Sequence, residues 1–215
     1  MIGMLCIAFA MNKRSSKWWR LRALFAHALP EIRHIGFATW LGSGLLFRGG
    51  DARLMSGLCR YPLHFRPHTS DVEVFAQVFG AEQYRVVKEF ARPKLIIDCG
   101  ANVGYASAYF LTCWPKARII AVEPDLENFR ILVKNMQPYR DRVTLVNSGV
   151  WSHPCGLVIS DEVFRDGREW TRQVRPSREG ERPQMTAVDV GSLLQLSGHD
   201  RISILKVDIE GAEKV

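Results

Sequence analysis

Leu95-Ile96-Ile97-Asp98-Cys99-Gly100-Ala101-Asn102-Val103-Gly104 runs from an apolar, strand-like stretch through an acid and two glycines into a helical pattern. A second apolar run, Ala117-Arg118-Ile119-Ile120-Ala121-Val122, ends at Glu123 one βαβ repeat later. Strands that alternate with helices in this way predict a parallel sheet. A Gly-rich turn that opens a helix lets backbone N–H groups approach a ligand, and an acid ending the next strand can accept ribose hydroxyls.

The spacing separates the nucleotide sites that share this outline. Dinucleotide sites use G-x-G-x-x-G, whose third glycine makes room between helix and strand. Here the order is Asp98-x-Gly100-x-Asn102-x-Gly104, without that triple and with an acid ahead of the first glycine. That acid repels a pyrophosphate and suits the cationic methionine end of S-adenosylmethionine. No Lys follows the glycines, which excludes the P-loop pattern. The expectation is an S-adenosylmethionine site in which Gly100 and Gly104 form the turn. Asp98 then takes the methionine ammonium, and Glu123 accepts both ribose hydroxyls. Asn102 either touches the ligand or caps the helix.

Outward from this core the βαβ rhythm continues. Strands are expected at 94–99, 117–123, 142–146 and 202–207, with helices at about 102–113, 124–137 and 189–196. A further short strand is expected at 157–160. Residues 161–183 carry six arginines among turn-forming residues and read as a loop beside the site. Ahead of the core, 54–65 has enough β-type residues for a hairpin. Ser70 and Glu73 have capping-box spacing before the apolar face Val72, Phe75, Val78 and Phe79. Asp208 and Glu210 close the fourth strand, where open α/β sheets place ligands. A carboxylate there can take an acceptor's proton or hold a metal that lowers a hydroxyl's pKa. The alternative is capping of the next helix.

The whole-chain numbers are those of an ordinary soluble α/β protein: 215 residues, 47% hydrophobic, 24% charged, mean hydropathy −0.07. Five scattered cysteines without a C-x-x-C pair suggest neither a zinc site nor a disulfide framework, so a cytoplasmic setting is expected. The net charge is +7, and residues 1–70 hold ten Lys or Arg against two acids. Met1 to Met11 is too short to span a bilayer and has its charges on the wrong side for a signal peptide. With Trp18-Trp19-Arg20 it suits peripheral contact with a membrane surface. No aromatic-lined basic motif calls for nucleic acid.

Three blocks carry a family resemblance. They are Thr69-Ser70-Asp71-Val72-Glu73-Val74-Phe75-Ala76-Gln77-Val78-Phe79, then Ile96 to Gly104 with Val122-Glu123-Pro124, then Leu205-Lys206-Val207-Asp208-Ile209-Glu210-Gly211-Ala212-Glu213. Together they resemble an FkbM-type methyltransferase, a branch of the class I S-adenosylmethionine-dependent enzymes. The resemblance covers 53–215. It implies a Rossmann-like sheet with helices on both faces, and methyl transfer to a hydroxyl of a sugar, polyketide or other small metabolite. It also implies cofactor contacts from Asp98, Gly100, Ala101, Asn102, Gly104 and Glu123, with Asn147 and Ser148 near the adenine. Asp208 and Glu210 are then the catalytic candidates. The organisation expected is a basic extension at 1–52, a lead-in hairpin and helix at 53–93, and the methyltransferase domain at 94–215. That domain stops after its fourth core strand and reads as truncated. The competing readings are an NAD(P)-dependent oxidoreductase and a non-catalytic, cofactor-binding protein at a membrane.

Overall fold

The computed structural model describes residues 53–66, 69–89, 92–160 and 173–209. The basic extension, His68, residues 161–172 and Glu210 lie outside them. Four apolar runs build the central sheet: β3 (Leu95–Cys99), β4 (Arg118–Val122), β5 (Val143–Val146) and β9 (Ile204–Val207). All pairings are parallel, in the order β5-β4-β3-β9. Every residue of β3 is buried, as a central parallel strand covered on both faces must be.

Alternate residues of these strands face two different helical layers. Ile96, Ile119 and Ala121 share a core with α2 (Tyr105–Cys113) and α3 (Leu126–Met136), while Leu95, Ile97, Cys99, Ile120 and Val122 pack with Leu193 of α4 (Val190–Ser197). Helices therefore cover both faces, and the Rossmann-like class expected from the sequence is the one observed. Helix α2 is buried around most of its circumference because the lead-in segment covers its outer side. Phe75 and Phe79 stack on Tyr105, with ring centroids 5.5 and 6.4 Å away.

The lead-in hairpin is short: β1 (Arg53–Leu54) pairs antiparallel with β2 (Leu63–His64). Helix α1 (Asp71–Phe75) follows and continues as a π-helical turn over Ala76–Gly80. The capping box does not form. Ser70 occupies the N-cap with helical dihedrals and makes no side-chain cap bond, while Asp71 beside it receives Arg66.

Two further expectations change. Helix α2 starts at Tyr105 rather than Asn102, since Asn102 and Gly104 both have positive φ and cannot continue a right-handed helix. The short strand expected at 157–160 is present, and within the stretch read as a loop residues 174–176 form a strand that pairs with it. β6 (Gly156–Ile159), β7 (Val174–Pro176) and β8 (Met185–Thr186) form an antiparallel sheet in the order β7-β6-β8. Arg175 closes the β7 turn with a bidentate pair to Glu181 at 2.7 and 2.8 Å. No described helix is long and apolar enough to cross a membrane.

Candidate active site

Chain order reverses at β3: β4 and β5 extend the sheet on one side, and β9 is added on the other. Ligands of open α/β sheets bind beyond the carboxyl ends of the strands at such a switch. There the chain gathers the 98–104 turn, Glu123, Asn147 and Asp208.

Asp98 is fully buried and both its oxygens are engaged. Ser107 Oγ of α2 donates to Oδ2 at 2.7 Å, and Lys206 Nζ of β9 lies 2.8 Å from Oδ1. The sheet register sets Asp98 directly opposite Lys206. Lys206 also donates to the Gly100 carbonyl at 2.8 Å and stands 3.8 Å from Asp208 Oδ2. Burial works against this ammonium, but Asp98, followed by Tyr84 and Asp208, outweighs it and holds Lys206 above the ordinary lysine range. The ammonium that Asp98 faces is therefore one from its own chain.

The turn glycines have packing reasons of their own. A Cβ on Gly100 would lie 1.9 Å from the Asp208 carbonyl oxygen, and φ is +76°. Gly104, at φ +88°, makes room for Leu132 of α3, whose Cδ1 would be 2.6 Å from a Cβ. The backbone N–H groups of Gly100 and Ala101 both donate to the Val122 carbonyl, at 3.0 and 2.9 Å, which ties the turn to β4.

Glu123 ends β4 and is buried among donors. Asn102 N donates to Oε2 at 2.8 Å; Asp125 N at 3.0 Å and Asn128 Nδ2 at 3.3 Å donate to Oε1. Loss of water on burial pushes its carboxyl up to about 7, and these donors only partly offset that. The Asn102 amide oxygen beside this turn is buried with no hydrogen-bond partner among the described residues. Asn102 caps no helix; Asp125 caps α3 by accepting from Asn128 N at 2.9 Å.

The other candidates are held by backbone. Asn147 Nδ2 donates to the carbonyls of Glu123 and Pro124 at 2.8 and 3.3 Å, which fixes the loop after β4. Ser148 Oγ is buried and donates to the Thr186 carbonyl, which joins the second sheet to β5. Asp208 stands at the end of β9 with its side chain 57% exposed, and its N–H donates to Cys99 O at 3.1 Å. Among the described residues no group of three or more His, Cys, Asp or Glu is arranged to hold a metal ion.

Sequence reasoning missed Ser107, Asn128 and the Asp98–Lys206 pair. Ser107 and Asn128 look like ordinary helix residues in sequence, since nothing local tells that they turn toward a carboxylate. Lys206 stands in the third of the resembling blocks, but nothing local in that block tells that it faces Asp98.

A parallel sheet helical on both faces, with a positive-φ turn and a buried acid beyond adjacent strands, defines a Rossmann-like ligand-binding domain. The family described as Methyltransferase FkbM domain matches residues 98–214, more than half of the chain, and the chain belongs to that family. Among characterised relatives it is 26% identical over 151 residues to Methyltransferase 1 of Beauveria bassiana, covering 59% of this chain and 58% of that protein. It is 27% identical over 175 residues to Methyltransferase sdnD of Sordaria araneosa, covering 65% of each. The chain thus spans about three fifths of the length of the relatives it matches. A solved FkbM methyltransferase from Methylobacillus flagellatus aligns over 57% of this chain and 27% of that one, at 19% identity and a TM-score of 0.37.

Proposed function

We propose that this protein binds S-adenosylmethionine and transfers its methyl group to a hydroxyl of a small metabolite such as a sugar or polyketide. The observation that carries the reading is the Glu123 node. Among the described residues a buried carboxylate meets donors alone, beside an amide oxygen that has no partner among them, beyond two adjacent parallel strands. Carboxylate oxygens accept about two hydrogen bonds each, so Oε2, with one donor, retains capacity for a ribose hydroxyl. Family membership supports the same reading and disfavours the oxidoreductase.

When bound, S-adenosylmethionine supplies a methyl group activated by attachment to a sulfonium. Glu123 and Asn102 would hold the ribose, and the Gly100–Gly104 turn with Ala101 would offer backbone to the rest of the cofactor. Asp98 fits a direct ammonium contact poorly while Lys206 occupies it; its fitting role is to fix Lys206. Asn147 and Ser148 fix the loops after β4 and β5 through backbone carbonyls and would stand near the adenine. Asp208 is the exposed carboxylate at the switch and would take the acceptor's proton, a contribution of typically 10²–10⁴-fold. Glu210 is the second candidate for that role. Most of the acceleration then comes from alignment of acceptor and methyl.

The test is calorimetric titration of S-adenosylhomocysteine into wild-type protein and Glu123→Ala. Saturable binding that Glu123→Ala removes is expected. A folded wild-type protein that binds no S-adenosylhomocysteine rejects the reading.

A further inference from the structure

The lead-in segment is wired to Glu123 through buried side chains. Asp71, at the start of α1, is 1% exposed and receives Arg66 three times: from the backbone N at 2.7 Å, from Nε at 3.1 Å and from Nη2 at 2.7 Å. The same Nη2 donates to Asn128 Oδ1 at 2.7 Å. Asn128, 2% exposed on α3, then donates its amide nitrogen to Glu123 Oε1 at 3.3 Å.

This order admits only one orientation of the Asn128 amide. Arg66 is a donor without acceptor capacity, so the face turned to it must be the oxygen. That leaves the NH₂ facing the carboxylate. Arg66 gives the amide oxygen its donor at 2.7 Å, and a flip would exchange that bond for an oxygen set against Glu123, a repulsive contact in a buried place. The bidentate grip of Asp71 in turn holds the guanidinium plane in the position that reaches Asn128.

We infer that Arg66 and Asn128 are positioning residues, through which Asp71 of the lead-in segment holds Glu123 in the setting that receives the cofactor's ribose. The inference rests on the S-adenosylmethionine reading and extends it. It gives the segment ahead of the glycine turn a part in cofactor binding without a contact of its own. Besides the relay, the charged group facing Glu123 is Asp125 on its own loop, whose negative charge adds to the effect of burial. The Arg66–Asp71 pair lies one layer further out.

Asn128→Asp isolates the relay. The substituted carboxylate still accepts from Arg66 and suits the first turn of α3, but it turns an acceptor toward Glu123. Arg66→Lys is the second variant: it keeps the charge and loses the fork. Two measurements are made from pH 5.5 to 8.5, the affinity for S-adenosylhomocysteine and the carbon-13 carboxyl shift of Glu123 in unliganded protein. In wild type both should change around a midpoint near the carboxyl's value of about 7. Asn128→Asp should raise both midpoints by about 1 unit and weaken binding about 10-fold at low pH. Arg66→Lys should shift them in the same direction and by less. Asn128→Asp also sets a like charge beside Glu123, so Arg66→Lys decides: a purely structural role lowers the melting temperature of Arg66→Lys and leaves both its midpoints in place, and that result overturns the relay. Wild-type protein that binds no S-adenosylhomocysteine at any pH overturns instead the cofactor reading, and the relay's purpose with it.

Discussion

Asp98 and Glu123 end adjacent strands of one sheet, and both are almost wholly withdrawn from water. Their surroundings are opposite. Asp98 meets a full positive charge from Lys206 and a hydroxyl from Ser107, whereas Glu123 meets three neutral N–H donors. A buried charge with a partner is a structural joint, and here it pins β9 to β3. A buried charge held only by dipoles is compensated less completely, which is why the Glu123 carboxyl is pushed upward. The comparison teaches that two equally buried acids are set apart by what they face, a counter-charge from the chain itself in one case and neutral donors in the other.

The sharpest way to break the contrast is Lys206→Met. It leaves Asp98 buried without its counter-charge and should cost about 3–5 kcal/mol in urea unfolding. Adding Asp98→Asn to that variant should recover most of the loss. If Lys206→Met unfolds like wild type, the joint does not exist in solution.

Gly100→Ala probes the same joint through the backbone. The added methyl collides with the Asp208 carbonyl at a positive-φ position, where neither backbone can yield cheaply. A loss of about 3 kcal/mol is expected in thermal denaturation. A loss below about 1 kcal/mol would mean that the ends of β3 and β9 lie further apart than described here.

Glu123→Gln tests the other acid. Every neighbour that reaches this carboxyl is a donor, so one end of the amide must turn an NH₂ toward an N–H. The expected cost is about 1–3 kcal/mol, because a buried donor loses its acceptor. Binding of S-adenosylhomocysteine should weaken at least about tenfold. Unchanged affinity would remove Glu123 from the site.

A slope in pH probes the same acid without a substitution. The Glu123 carboxyl sits at about 7 in the folded protein against an ordinary 4.5. Between those values the folded state holds more protons than the unfolded one, so stability falls as pH rises through this window and levels off above it. Asp98–Lys206 contributes in the opposite region: its raised lysine gives stability that is lost only at strongly alkaline pH. Urea midpoints measured from pH 4.5 to 8 in wild type and Glu123→Gln should show the decline in the first and a weaker one in the second. Equal slopes would assign the decline to other groups.

The core strands were legible because a central parallel strand must be apolar along its whole length, as Leu95–Cys99 and Arg118–Val122 nearly are. Of the second sheet, only its middle strand β6 was legible, as the apolar run at 157–160. Val174–Pro176 lies among arginines and Met185–Thr186 is two residues long, so neither carries a periodic signal. Asp208 was legible as the end of a strand. Its exposure, and its distance from Lys206, were not.

The sequence by itself determined the alternation of strands and helices, the positive-φ turn, the acid after the second strand and the family. These depend on residues near one another in the chain, where side-chain type and backbone preference act directly. The tertiary structure alone decided what each acid faces. Lys206 meets Asp98 across a strand register that joins residues 108 positions apart, and Arg66 reaches Asn128 across 62. Such pairings are fixed by how sheets and helices pack, and no local pattern in the chain encodes them.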